Sequence, residues 1–381
     1  MKILITTDLY ETTTNGVAVS VRNLSLELRK KGHDVRILTL SGNKESYYES
    51  SVYYVGSFSL EKIYPGVRGS IGFKEQYIEE LIEWKPDVIH SQCEFFTFQF
   101  ARRIAKKTGA PILHTYHTLY EQYSNYVISS EAISRFLIRK LTKWRLKHTT
   151  AVIVPSRKTE EVLKNYGVEK QLYIIPTGIS LEQHHWRISQ EERQAMRKKY
   201  GISDYDFVLL SLGRLGAEKG LEELLNCFSW VYEEVANLKL MIVGDGPERK
   251  KLEDLASHME ISHKVIFTGM VDPSEVQKYY QLGDVFVSAS TSETQGLTYA
   301  EAAANGLPLV CMSDPCLQGI LSNGVNGFEF TTLEEFQYYI LTLLKNGELR
   351  KNASEQSVEM ANGFDKCHFA KSVEQIYQSI C

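Results

Sequence analysis

The chain has 381 residues, 43% hydrophobic and 24% charged, a globular composition that excludes the disordered and fibrous classes. This length exceeds what a single core usually supports, so two domains are expected. The net charge of −4 hides an asymmetry: residues 1–175 carry 25 Lys and Arg against 18 Asp and Glu (+7), and residues 176–381 carry 18 against 29 (−11). A basic half joined to an acidic half points to an anionic partner, either a membrane surface or nucleic acid.

No apolar run approaches the roughly 20 residues that span a bilayer. The opening MKILITTDLY has no signal-peptide h-region or cleavage site and reads as a first strand. Six cysteines lie scattered without a Cys-x-x-Cys pair. That implies reduced thiols in a cytosolic setting and argues against zinc or a disulfide framework.

In chain order, strands are predicted at KILITTD, DVRILTL, SVYYV, DVIH, PILHT, AVIVP and LYIIP, with helices over 16–31, 72–83, 95–108 and 156–166. The pattern then restarts. FVLLSLG, LKLMIVG, KVIFTG, DVFVSAS, LPLVCM and GFEF alternate with helices over 219–235, 247–258 and 272–282 and one from 296. Near-continuous apolar strands alternating with helices predict an α/β protein of two Rossmann-like, doubly wound parallel-sheet domains facing each other across a cleft. The seam falls near IPTGISLEQHHW, giving domains 1–175 and 176–361. A last helical pattern over 365–378, within a terminal segment 362–381, is expected to pack back on the first domain. Ligands of such sheets bind beyond the carboxyl ends of the strands, so loops after strands carry the candidate residues.

Three of those loops are informative. In TTDLYETTTNGVAVS, Asn15-Gly16 opens a helix, and Gly16 suits either a close-approaching anion or an ordinary turn. The dinucleotide fingerprint is absent. In GRLGAEKGLEELL, Arg214 and Lys219 share a Gly-rich turn between a strand and a helix. Two fixed cations there suit a diphosphate, although either alone fits a solvated turn residue. In TSETQGLTYAEAAANG, Glu293 lies in the turn and Glu301 in the following helix, with the helix-tip amides of Gly296, Leu297 and Thr298 between them. A carboxylate beside a phosphate site binds hydroxyls, so this grouping reads as a nucleotide-sugar site. The same spacing also fits two exposed glutamates.

Glu-x7-Glu after a strand, embedded in GLTYAEAAANGLPLV, resembles the signature of the retaining glycosyltransferases of family 4, which have the GT-B fold. The likeness extends through PILHTYHT, IPTGIS, GRLGAEKG, IVGDGPERKKLE and IFTGMVDPSEVQKYY. It implies that Glu301 holds the nucleotide ribose and that Arg214 and Lys219 neutralise the leaving diphosphate. Glu293 and the amides from Gly296 to Thr298 then hold the donor sugar. Gly16 lies against the diphosphate, and His117 is the first-domain residue beside the reacting sugar. Where the family usually has Glu-Pro-Phe-Gly this chain has Glu-Thr-Gln-Gly, and it carries HTYHTLYE at 114–121. In both respects it is similar to the subgroup that glycosylates diacylglycerol. A hexose, glucose from UDP-glucose, is therefore the expected donor group, and a lipid hydroxyl the acceptor. A glycolipid or soluble acceptor and a non-catalytic nucleotide-sugar-binding module are the alternatives. No Asp-x-Asp stands at a strand end, so neither a metal nor another cofactor is expected.

Residues 131–148, EAISRFLIRKLTKWRLKH, place Ile133, Phe136, Leu137, Leu141 and Trp144 on one stripe of a helix. Arg135, Arg139, Lys140, Lys143, Arg145 and Lys147 lie largely elsewhere. A cationic helix with an aromatic-aliphatic face reads as interfacial on anionic lipid, or as a core helix with a solvated basic face. Arg102, Arg103, Lys106 and Lys107 add a second basic cluster. No helix-turn-helix, RRM or KH pattern accompanies the charge, so nucleic acid is not an expected partner. The expected location is cytoplasmic, peripheral on the inner face of the membrane.

Overall fold

The structure is a computed structural model. It describes residues 1–10, 15–60, 68–70, 76–119, 121 and 131–381, without the side chains of 131–134 and 185. Residues 11–14 of the first loop, the beginning of the helix expected from 72, Tyr120 of HTYHTLYE and the Ile133 side chain lie outside that description.

Two compact units emerge, Met1–Gly178 with Lys366–Cys381, and Ile179–Asp365. The boundary thus falls a few residues beyond the expected 175, and the returning segment begins at 366 rather than 362.

The first unit runs β1 (Lys2–Thr6), α1 (Gly16–Lys30), β2 (Asp34–Leu40), β3 (Tyr47–Glu49), β4 (Val52–Val55), β5 (Phe58–Ser59), β6 (Arg68–Gly69), α2 (Gln76–Trp84), β7 (Val88–Ser91), α3 (Phe96–Thr108), β8 (Ile112–Thr115), α4 (Glu131–Leu146), β9 (Ala151–Val154), α5 (Arg157–Asn165) and β10 (Leu172–Ile174). Its main sheet has the order β10-β9-β8-β7-β1-β2-β4-β3 and is parallel except for the β3–β4 pair. Strands such as KILIT and VIHS are buried almost throughout because helices cover both faces of the sheet.

The second unit runs α6 (Leu181–His185), α7 (Gln190–Lys199), β11 (Phe207–Leu212), α8 (Leu221–Tyr232), β12 (Leu238–Val243), α9 (Arg249–His258), β13 (Val265–Phe267), α10 (Val276–Tyr280), β14 (Val285–Ser288), α11 (Leu297–Ala304), β15 (Leu309–Met312), β16 (Gly327–Phe330), α12 (Leu333–Lys345) and α13 (Gly347–Ala361). Its sheet, β13-β12-β11-β14-β15-β16, is parallel throughout. The strand order reverses between β1 and β7 in one unit and between β11 and β14 in the other. At such a switch point the two flanking connections depart to opposite faces and leave room for a ligand.

The closing helix α14 (Lys366–Ile380) returns to the first unit. Phe369, Val373, Ile376 and Tyr377 join the core of Ile3, Val21, Leu24 and Leu28. Glu374 accepts from Lys31 Nζ at 2.5 Å and sits 2.9 Å from His33 Nε2. Gly178 lies where the chain leaves this unit. Its carbonyl accepts from Asn23 Nδ2 at 2.8 Å, and a Cβ there would stand 2.5 Å from the Lys366 Cα and 2.8 Å from the Phe369 Cβ. Both are backbone-proximal atoms that cannot rotate away. Gly178→Ala is therefore expected to lower unfolding stability by about 1–3 kcal/mol, the usual range for forced overpacking, read as a reduced urea midpoint.

Candidate functional site

In the second unit the loops after β11 and β14, on either side of the switch point, carry the candidate residues. After β11 the chain passes Arg214 and a 3-10 turn, Ala217–Lys219, then Gly220 in the left-handed region (φ 63°) before α8 begins. Lys219 thus lies in that turn, just outside the helix expected from 219. A side chain on Gly220 would strike the carbonyl of Ala289, so only glycine lets the two loops meet.

They meet through an ion pair: Lys219 Nζ donates to Glu293 Oε1 at 2.6 Å. Arg214 Nη1 approaches Glu218 Oε1 at 3.4 Å. Glu218 is nearly buried, and its Oε2 has no hydrogen-bond partner among the described residues. Both cations assigned to an anionic ligand are therefore paired with carboxylates. Lys219 and Arg214 each keep part of their side chain in solvent, where a doubly charged phosphate group can compete for them.

Gly296 (φ 74°) starts α11 without a side-chain cap, leaving the helix tip at Leu297 and Thr298 positive and ready for an anion. One turn further on, Glu301 Oε2 accepts from the buried Tyr280 hydroxyl at 2.8 Å. Burial pushes the Glu301 carboxyl up to about 7, against the lowering effect of the tyrosine hydrogen bond. Glu293 is thus drawn to a lysine and Glu301 to a tyrosine. The structure brings Arg214, Lys219, Glu293 and the helix tip to one switch point, with Glu301 on the same helix as the tip.

Gly16 and His117 belong to the first unit. Gly16 is the first residue of α1, whose cap is Asn15 accepting from Ala18 N at 2.8 Å. His117 follows β8, and its Nε2 lies 2.7 Å from Gln92 Oε1 in the loop after β7. Burial, with a smaller contribution from His114, lowers its pKa to about 4 despite the opposing pull of Glu94. His114 is fully buried with Nε2 3.3 Å from Glu94 Oε1, as expected of a structural histidine.

On α4 the described stripe residues are outward. Phe136, Leu137, Leu141 and Trp144 are 59, 47, 44 and 48% exposed. The inward side is instead Ile138, Thr142 and Leu146, set against the cluster of Tyr116, Leu163 and Tyr166. Arg135, Arg139, Lys140, Lys143 and Lys147 are exposed as well. Arg139 Nε also donates to the Tyr166 carbonyl at 3.3 Å. The Arg102 guanidinium stacks 5.2 Å from the Trp144 ring, joining the basic turn of α3 to this face.

Residues 14–183 match the family described as Glycosyltransferase Family 4, and residues 192–360 match Glycosyl transferases group 1. An alpha-monoglucosyldiacylglycerol synthase from Acholeplasma laidlawii is 31% identical over 387 residues, covering 99% of this chain and 96% of that protein. The chain belongs to glycosyltransferase family 4. A second alpha-monoglucosyldiacylglycerol synthase, from Streptococcus pneumoniae, is 37% identical over 335 residues, 86% of this chain and 74% of that protein. Family membership makes this chain a glycosyltransferase. The Anabaena HepE structure in complex with UDP and glucose covers 100% of both chains at a TM-score of 0.76 and 16% identity, which shows the GT-B fold.

Sequence reasoning passed over four polar residues beside the family motifs: Glu218, Tyr280, Gln92 and Glu94. Glu218 carried a readable signal, since it stands four residues after Arg214. Tyr280 is distant in sequence from Glu301 and carried none. A histidine held neutral by burial has a direct consequence. The His117 ring of this family 4 chain is expected to titrate near pH 4 and to remain uncharged at pH 5.5, where an ordinary histidine of pKa 6.5 is mostly charged. Histidine ring-proton NMR against pH, with His117→Gln for assignment, checks this.

Proposed function

We propose that this glycosyltransferase moves glucose from UDP-glucose to the hydroxyl of diacylglycerol at a membrane surface, with retention at the anomeric carbon and without a metal ion. The observation that carries the reading is the grouping of Arg214, Lys219, Glu293 and the α11 tip at the second unit's switch point. The two diacylglycerol-glucosylating relatives support the lipid acceptor.

In this reading the donor diphosphate takes Lys219 from Glu293 and Arg214 from Glu218. Glu293, released from its cation, accepts hydrogen bonds from the sugar hydroxyls beside the Gly296, Leu297 and Thr298 amides. Glu301 accepts from the ribose. Gly16 is assigned to the diphosphate, and His117, a neutral imidazole, to the donor sugar. The acceptor hydroxyl attacks the anomeric carbon from the side on which the diphosphate leaves. One carbon–oxygen bond forms as the bond to phosphate breaks, and the acceptor proton passes to the departing phosphate oxygen. Negative charge develops on the leaving UDP, so preplaced cations and helix amides lower the barrier in the place a divalent ion would otherwise take. Glu293 then positions the sugar and is not the base.

The membrane surface enters through α4. A helix whose core contacts are met by Ile138, Thr142 and Leu146 has no packing use for exposed Phe136, Leu137, Leu141 and Trp144. Ringed by cations, these side chains suit the headgroup boundary of an anionic bilayer. No described helix is long and apolar enough to cross a membrane, so contact from one side is the form this association takes.

Lys219→Ala and Arg214→Ala are each expected to lower kcat by about 10²–10³, the usual loss on removing one preorganised charge-stabilising group. The assay uses UDP-glucose with diacylglycerol in anionic vesicles, and near-normal turnover in both variants would sink the diphosphate assignment. For the surface, Arg135→Ala, Lys140→Ala and Lys147→Ala combined should weaken vesicle sedimentation about a hundredfold, at ~1 kcal/mol per basic group. Wild-type binding should also fall as salt is raised. A protein that ignores anionic vesicles at low salt has no lipid-surface step.

A further inference from the structure

Glu301 is a half-buried carboxylate whose outer torsion is intrinsically loose, because sp³–sp² rotations at the end of a glutamate have broad, shallow wells. To hold a ribose diol it must present a fixed edge. One element supplies that fixation. Tyr280 ends α10, and its ring is fully buried. It is wedged edge-on to His184 at 6.2 Å and tilted against Phe286 at 6.3 Å. Its hydroxyl donates to Glu301 Oε2 at 2.8 Å and lies 3.5 Å from the Thr298 carbonyl at the start of the same helix. Glu301 Oε1 has no hydrogen-bond partner among the described residues, so the tyrosine ties down one carboxylate oxygen and leaves the other for a ligand.

We propose that Tyr280 is a positioning residue of the donor site: its hydroxyl fixes the Glu301 carboxylate in the orientation that accepts the ribose diol. This rests on Glu301 being the ribose-holding group. The tyrosine acts in two ways. It removes rotational freedom before the donor arrives, so less entropy is lost on binding. It also donates to the ionised form, which opposes the effect of burial on Glu301. Among the described side chains, the other ionisable groups on elements packed against α11 are Glu182 and His184 on α6, Lys278 and Tyr279 on α10, Cys311 on β15, and Glu348, Arg350, Lys351, Glu355 and Glu359 on α13. None of these adds to the two influences on Glu301, burial and the Tyr280 hydroxyl. The acid form of Glu301 gains as pH falls through about 7, so donor capture weakens in that direction. Loss of the tyrosine hydroxyl moves that weakening to higher pH.

Tyr280→Phe keeps the buried ring and removes only the hydroxyl. With UDP-glucose and acceptor vesicles, the variant is expected to raise the donor KM about tenfold, as for loss of a hydrogen bond to a charged group. Its kcat stays within about twofold, and the acid limb of its kcat/KM profile moves upward in pH. In Glu301→Gln the acid limb disappears, and adding Tyr280→Phe to that variant costs nothing further. An unchanged KM overturns the proposal. So does a raised KM with an unmoved pH profile, since mere repacking gives that result. Glu301→Ala separates the two levels. If it keeps wild-type donor affinity, the ribose assignment itself falls. If it loses affinity while Tyr280→Phe does not, only the tyrosine's role falls.

Discussion

Lys219 and Glu293 touch because the second sheet reverses its order between β11 and β14, and the loops leaving those two strands are forced side by side. Their approach has a steric condition. Gly220 occupies the left-handed region against the Ala289 carbonyl, and any Cβ there would push the loops apart and break the ion pair. The rest of the candidate site hangs from this contact. Arg214 enters the same turn from the strand, and Gly296 ends the second loop and begins α11. Glu301 is carried one turn along that helix. A charge arrangement that looks like four separate side chains is thus set by one crossing of two loops.

The same economy explains why the two cations are paired with carboxylates. An unpaired lysine and arginine on a partly buried turn would sample many rotamers and repel each other. Carboxylates at Glu218 and Glu293 hold them in one arrangement.

Much of this was legible in the sequence, for identifiable reasons. Short apolar runs such as FVLLSLG and DVFVSAS, rich in β-branched and aromatic residues, read as strands buried on both faces, and each gives way to a polar or Gly-rich turn. Gly-rich turns holding Arg214, Lys219 and Glu293 therefore fell correctly at strand ends. The short edge strand β3, Tyr47–Glu49, was missed because its three residues are all exposed and carry no burial signal. α6 and α7 went unnamed because LEQHH and QEERQAMRKK are almost wholly polar. The α4 stripe read as interfacial does face outward; what the pattern did not show is the inward face of Ile138, Thr142 and Leu146, set by Tyr116 and Leu163 beneath them. Long-range partners such as Tyr280 for Glu301 are invisible in principle, since no local periodicity links α10 to α11.

Two glutamates with seven residues between them end in opposite surroundings, and that difference has mechanistic content. Glu293 sits in a loop beside Lys219, 2.6 Å from its ammonium. Glu301 sits on a helix against a buried tyrosine, where burial opposes ionisation and one oxygen is fixed. A carboxylate that must exchange partners benefits from the first setting. A carboxylate that must present a fixed edge benefits from the second. The turn from Glu293 to Gly296 leads directly into α11, so one carboxylate stands just before the positive tip of that helix and the other along its side.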